Sequence, residues 1–191
     1  MILMWSALFL SFGVIFVAEL GDKSQLMAMA FAARYKAWPV LVGISIATAF
    51  THAISVAIGA VLGSQLPTRT IGVIAGIAFL IFAAWTLRGD ELDEDEQGKA
   101  ERSNRNAVIA ASVAFFLAEL GDKTMLATIT LATKEGVVGT WLGSTLGMVA
   151  ADALAIVVGQ QLGARLPEKA IRIGASVLFV VFGVILIVEA L

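Results

Sequence analysis

Shifted by 100 residues, the sequence matches itself without a gap. Ala18-Glu19-Leu20-Gly21-Asp22-Lys23-Ser24 stands against Ala118-Glu119-Leu120-Gly121-Asp122-Lys123-Thr124, and the register continues through Leu26/Leu126, Gly43/Gly143, Gly59/Gly159, Leu62/Leu162, Pro67/Pro167, Ile71/Ile171, Phe79/Phe179 and Phe82/Phe182. Six apolar runs lie between the charged residues and prolines, roughly 2–33, 39–66, 70–87, 107–133, 137–164 and 170–190. Each is near or above the ~20 residues that cross a bilayer as helix. Each half therefore has three spans. Because three is odd, the second half enters the membrane in the opposite sense to the first. The expected fold is an all-α membrane protein, six transmembrane helices arranged as two inverted three-helix repeats. The first repeat covers 1–87, a linker 88–106 and the second repeat 107–191.

Composition narrows the function classes. Hydrophobic residues make up 59% of the chain before its 18 glycines are counted, against about 45–50% apolar with glycine included in soluble domains. Only 15% of residues are charged, and seven of the 15 acids fall between Asp90 and Glu101, which leaves no room for a sizeable soluble domain. The absence of cysteine excludes disulfide staples, thiolate metal sites and thiol redox chemistry. A net charge of −2 without a basic run gives nucleic acid nothing to hold. The prolines Pro39, Pro67 and Pro167 and the tryptophans Trp5, Trp38, Trp85 and Trp141 fall near run ends, where breaks and interfacial aromatics belong. The first run lacks a basic leader, is too long for a signal peptide and carries acids, so it reads as a retained helix.

Nine basic residues, Arg34, Lys36, Arg88, Lys99, Arg102, Arg105, Arg165, Lys169 and Arg172, lie in the loops of one side, and only Arg69 and Lys134 on the other. The positive-inside rule places the nine in the cytoplasm and both termini outside. The acidic run Asp90–Glu96 then sits in a cytoplasmic loop, read as a solvated linker, with cation sensing as the alternative.

The twin motifs are where the chemistry concentrates. Glu19 is 15 residues from Arg34, and Glu119 is 14 from Arg105 and 15 from Lys134, which puts both about halfway through the bilayer. A charge there costs on the order of 2.5–3.5 kcal/mol even on lenient insertion scales, so these groups must pair, bind ions or face water. On a continuous helix Glu19, Asp22 and Lys23 would share one face, as would Glu119, Asp122 and Lys123. Gly21 and Gly121 favour a kink or break that frees backbone carbonyls. Facing one another, the clusters would gather Glu19, Asp22, Glu119, Asp122, the hydroxyls of Ser24 and Thr124 and the amide of Gln25. That all-oxygen set suits a hard cation such as Ca²⁺, Mg²⁺ or Mn²⁺. Four carboxylates and two ammoniums sum to −2, which one divalent cation or two protons neutralise. Exchange of M²⁺ for about two H⁺ is therefore expected, with Glu19 and Glu119 carrying the protons because burial disfavours a charged carboxylate. Lys23 and Lys123 are expected to neutralise Asp22 and Asp122.

A second repeat pair sets His52 against Asp152. His52 ends a polar stripe with Ser45, Thr48 and Thr51, continued by Ser55, and Asp152 lies seven residues after Thr145. Asp152 is read as a further ligand or proton relay, or else a fixed counter-ion; His52 as ligand or relay, or else a core histidine. Met27, Met29 and Met125 are read as packing, with a thioether ligand as the alternative. The ladders Gly59-Gly63, Gly139-Gly143-Gly147 and Gly159-Gly163 are read as close helix packing.

The twin E-x-G-D-K-[ST] strings, Glu19–Ser24 and Glu119–Thr124, resemble the signature of the Gdt-type family of small membrane cation exchangers, which includes a Golgi manganese transporter, chloroplast relatives and bacterial manganese exporters. The resemblance covers the whole chain. It implies export of Mn²⁺ and/or Ca²⁺ against H⁺, with Glu19, Asp22, Glu119 and Asp122 as ligands, and the compact six-span form implies the bacterial plasma membrane. No enzyme activity and no resident cofactor are expected; the partners are divalent cations, protons and the bilayer, and a homo-oligomer is left open. A passive cation channel is the alternative, since rings of acids also select cations. An intramembrane aspartyl protease would need Asp22 and Asp122 to share one proton, which the adjacent lysines oppose. A nonconducting assembly or export factor for amino acids leaves the acids at both midplanes unexplained.

Overall fold

The first helix stops at its own charged motif. The computed structural model describes residues 2–65, 67–88, 107–162 and 168–191, and among these every regular element is helical. α1 (Ile2–Glu19) and α2 (Lys23–Arg34) are separated by Gly21, whose φ is +76°, and their axes bend by 75°. α3 (Ala37–Gln65) and α4 (Thr68–Arg88) complete the first half. The second half repeats the order: α5 (Ala107–Glu119), a break with Gly121 at φ +81°, α6 (Lys123–Lys134), α7 (Val137–Leu162) and α8 (Glu168–Ala190). An L side chain in that left-handed region costs roughly 1–2 kcal/mol, so glycine is what lets the chain turn there. The face shared by Glu19, Asp22 and Lys23 on one continuous helix does not exist. The glutamate ends one helix, and the aspartate caps the next from an extended conformation.

Among the described residues the six apolar runs thus become eight helices, because the first and fourth runs are each cut in two. α3 begins at Ala37, two residues before the expected start, which puts Pro39 in its first turn, where the missing N–H is tolerated. Ala37–Gln65, Arg69–Arg88 and Val137–Gln160 are each long and apolar enough to cross a bilayer, and the bent α1–α2 pair would count as a fourth span. α5 and Phe179–Val188 within α8 are shorter apolar helices. The acidic run Asp90–Glu96 and linker residues 89–106, including Lys99, Arg102 and Arg105, lie outside the described residues, as do Gly163, Arg165 and Pro167.

The halves interlock reciprocally. α1 runs along α7 and α5 along α3; α2 packs on α7 and α6 on α3; α4 pairs with α8. Residues 100 apart meet at the centre. The Thr48 hydroxyl donates to Met148 Sδ at 3.5 Å, and the Phe79 and Phe179 rings meet tilted at 58° with centroids 5.7 Å apart. Phe79–Phe182 and Phe82–Phe179 then repeat one another at 6.2 and 6.1 Å. One core gathers Met27, Phe31, Ile44, Phe115 and Ile156, and the other Ile15, Phe79, Leu131, Met148 and Phe179. Trp141 is not simply an interfacial anchor: its indole N–H donates to the carbonyl of Ala49 at 2.8 Å, tying α7 to α3.

Gly59, Gly63, Gly139, Gly143 and Gly147 of the glycine ladders lie where helices touch backbone to backbone, Gly159 meets the Met29 side chain, and Gly163 is outside the described residues. A Cβ at Gly143 would sit 2.2 Å from the Leu8 carbonyl oxygen. The corresponding atom at Gly139 meets Met4 O at 2.5 Å, at Gly147 Phe12 O at 2.6 Å, and at Gly59 Ile129 O at 2.5 Å. These obstacles are backbone atoms and cannot swing aside. Gly143→Ala is therefore expected to push α1 off α7 and destabilise the fold by about 1–3 kcal/mol. Gly13→Ala, where a Cβ meets nothing within 4 Å, should instead leave stability unchanged or raise it by up to about 1 kcal/mol through helix propensity. Thermal unfolding of the two detergent-purified variants checks the contrast.

Candidate cation site

Both breaks deliver the same parts to the interior. Glu19 ends α1 and Glu119 ends α5, while Asp22 and Asp122 cap the N-termini of α2 and α6, whose positive dipole ends favour a carboxylate. All four acids are buried, with exposures of 5% or less. The helix-end hydroxyls turn onto the glutamates: Ser24 Oγ donates to Glu19 Oε1, and Thr124 Oγ1 donates to Glu119 Oε2 at 2.9 Å. Each glutamate keeps one buried oxygen without a partner, Oε2 of Glu19 and Oε1 of Glu119.

The structure also joins the halves through charge. Lys123 Nζ donates to Asp22 Oδ1, a buried ion pair linking the second repeat to the first. Lys123 therefore neutralises the aspartate of the opposite motif. The expectation that the motif lysines neutralise Asp22 and Asp122 left the pairing open, and for this pair the structure sets it across the interface. Glu19 lies within electrostatic reach of Glu119, Asp22, Asp152 and Lys123, and Glu119 within reach of Asp122, Asp22 and Asp152. Asp152, on α7, is fully buried with neither carboxylate oxygen hydrogen-bonded. It belongs to the same electrostatic cluster.

Among the described residues, no three His, Asp or Glu side chains already stand as a group able to hold a metal ion. The acids are neighbours in charge but not a formed coordination shell. Both ends of Gln25 are engaged: Oε1 accepts the Gly21 N–H at 2.8 Å, and Nε2 donates to the Ala151 carbonyl at 2.9 Å. His52 is buried with Nδ1 unpartnered, and beside it on α3 Thr51 is buried with a free hydroxyl oxygen. Ser55 Oγ donates to Thr51 O and Ser45 Oγ to Leu41 O, so these two hydroxyls serve their own helix. Met27 lies in the core, Met29 packs on Gly159, and Met125 Sδ accepts the Gly121 N–H at 3.2 Å. Two polar neighbours were missed by sequence reasoning. Thr128, one turn beyond Thr124 on α6, is buried with its hydroxyl unpartnered, and Met148, one turn before Asp152 on α7, receives Thr48. Helical spacing from residues already chosen would have found both.

The sequence is similar to known proteins over most of its length. The family described as "Divalent cation/proton antiporter GDT1" matches residues 7–94 and 107–191. A protein of Vibrio cholerae serotype O1 named "Putative manganese exporter" is 34% identical over 170 residues, covering 87% of this chain and 83% of its own length. A GDT1-like protein of Synechocystis is 31% identical over 190 residues, 90% of this chain and 92% of its own. Protein PAM71, chloroplastic, of Arabidopsis thaliana is 34% identical over 206 residues, 94% of this chain and 56% of its own. No solved structure matches. With apolar helices fit for a multi-pass membrane protein and buried acids at two matched helix breaks, the chain belongs to the GDT1 family of divalent cation/proton antiporters.

Proposed function

We propose that this antiporter exports Mn²⁺ and/or Ca²⁺ from the cytoplasm in exchange for H⁺, through a midplane site built by Glu19, Asp22, Glu119 and Asp122. Six spans in two inverted repeats would carry it, in a bacterial plasma membrane, with both termini outside and loop 88–106 in the cytoplasm. The observation that carries the reading is the pair of buried glutamates, each at a helix break with one orphaned oxygen and within electrostatic reach of further acids. Half-helix ends and interrupted helices at a repeat interface are how secondary transporters present ligands to ions at membrane depth. The printed name of the Vibrio cholerae relative favours manganese.

Charge balance sets the coupling. Four motif carboxylates and two lysines give −2; with Asp152 the sum is −3, so the loaded site would hold one M²⁺ and one H⁺, and the unloaded site three H⁺. Either way the difference is one M²⁺ for two H⁺. Ser24 and Thr124 would release or share their glutamates as the cation enters, which draws the scattered acids into a shell, and Asp152 and His52 would pass protons. The Lys123–Asp22 pair would hold the halves in register while the site is empty.

Proteoliposomes loaded with Mn²⁺, Ca²⁺ or Mg²⁺ test this. Uphill Mn²⁺ or Ca²⁺ movement driven by a pH gradient and abolished by Glu119→Gln is the expected result; flux indifferent to the gradient would make the protein a channel. Removing one member of the buried pair has a separate consequence. Lys123→Met takes away a buried cation paired with Asp22 and should cost up to about 3–5 kcal/mol of stability. Asp22→Asn added to it should recover most of that loss in chemical denaturation, whatever happens to transport.

A further inference from the structure

The 100-residue register exposes a difference directly beside the cation site. Gln25 occupies in the first repeat the place that Met125 occupies in the second. Gln25 is 1% exposed and bridges two elements, accepting from the Gly21 N–H of its own break and donating to the Ala151 carbonyl of α7, next to Asp152. Met125 accepts the Gly121 N–H through sulfur at 3.2 Å. A thioether is a weak acceptor and has no proton to donate, so this side chain cannot tie the second break to α3. The carbonyl at the matching place, that of Thr51, accepts instead from Ser55 at 2.9 Å.

Exposure differs accordingly. Leu20 and Gly21 are half-buried, whereas Leu120 is 43% exposed and Gly121 is exposed. Non-helical backbone at membrane depth persists only where protein buries it or water reaches it. The first break is the better covered by protein of the two, and the more exposed second break would then face an aqueous space.

We propose that Gln25 is a positioning residue, a strap that holds the first break closed against α7 and leaves the second break as the one through which the cation site opens. The role rests on the antiporter reading, because it decides which half-site is accessible in a given state. At this position one half is pinned by a hydrogen bond across the interface, while its repeat mate makes a soft sulfur contact within its own break. Exchanging the two residues should therefore exchange the behaviour of the two breaks.

The chain contains no cysteine, so single thiols report cleanly. Leu20→Cys and Leu120→Cys, each placed in the full chain in nanodiscs, are reacted with a water-soluble maleimide. Leu120→Cys should react faster. Gln25→Met should raise the rate at Leu20→Cys by roughly three- to tenfold, the worth of one net hydrogen bond. The swap Gln25→Met with Met125→Gln should slow Leu120→Cys instead, a reversal that loosened packing would not produce. Equal rates at Leu20→Cys with and without Gln25 would overturn the strap. If Gln25→Met alone does not fold, the swap decides, and an unreversed order in it is equally fatal. Labelling needs no transport: absent cation flux in the wild type would refute the antiporter reading and leave the rates readable, whereas unchanged rates beside intact flux would sink the strap alone.

Discussion

A carboxylate placed in hydrocarbon has to be answered by another charge, a proton or an ion, because the water that would solvate it is absent. Much of this structure follows from that requirement. Five acids, Glu19, Asp22, Glu119, Asp122 and Asp152, are buried. The direct ion pair seen for Asp22 reaches it from the other repeat, through Lys123. A buried pair of this kind is weak evidence for stability, since desolvation offsets much of the attraction. Its stronger effect is on register: the lysine reaches its aspartate only if the two breaks face each other. The charge that makes the site costly is also what holds its halves opposed.

The breaks themselves solve a second problem. An unbroken helix would satisfy its own backbone and offer an ion only side chains; a helix cut at Gly21 or Gly121 presents a carbonyl end and an amide end to the same point. Asp22 and Asp122 meet the positive amide ends, and Glu19 and Glu119 stand at the carbonyl ends, where a cation is favoured. Cutting a span leaves two short helices, and α5 has only 13 residues and α6 12. Such helices need lateral support, which α3 and α7 supply by running alongside them. Gly43, Gly59, Gly143 and Gly147 bring those backbones into contact, and the close approach substitutes packing for a hydrophobic drive that lipid does not provide.

Much of this was legible in the sequence. The 100-residue register predicted which contacts would be reciprocal, and Phe79–Phe182 with Phe82–Phe179 are such a pair. The run boundaries agree with the helix ends to within a few residues, because hydrophobicity and proline placement are local properties. The motif acids were singled out by their cost at the midplane. Other features were not legible. The sequence pointed to lysines neutralising Asp22 and Asp122 without saying which meets which, and the Lys123–Asp22 ion pair crosses the repeats. Gln25 read as an oxygen ligand, yet its oxygen is taken by Gly21 and its nitrogen by Ala151. Both differences depend on which way a side chain leaves a non-helical turn, and spacing cannot specify that.

The sequence by itself determined the helical class, the duplication, the positions of the two breaks and the kind of chemistry that buried acids without thiols can support. These follow from chain-local quantities: apolar length, glycine's access to positive φ, and the cost of charge in lipid. Tertiary structure decided that Lys123 meets Asp22, that Asp152 joins the motif acids, and that the two breaks are unequally exposed. Those are outcomes of packing between residues about 100 or more apart, where angles set by glycine contacts and a single hydrogen bond choose among partners that the sequence leaves equivalent.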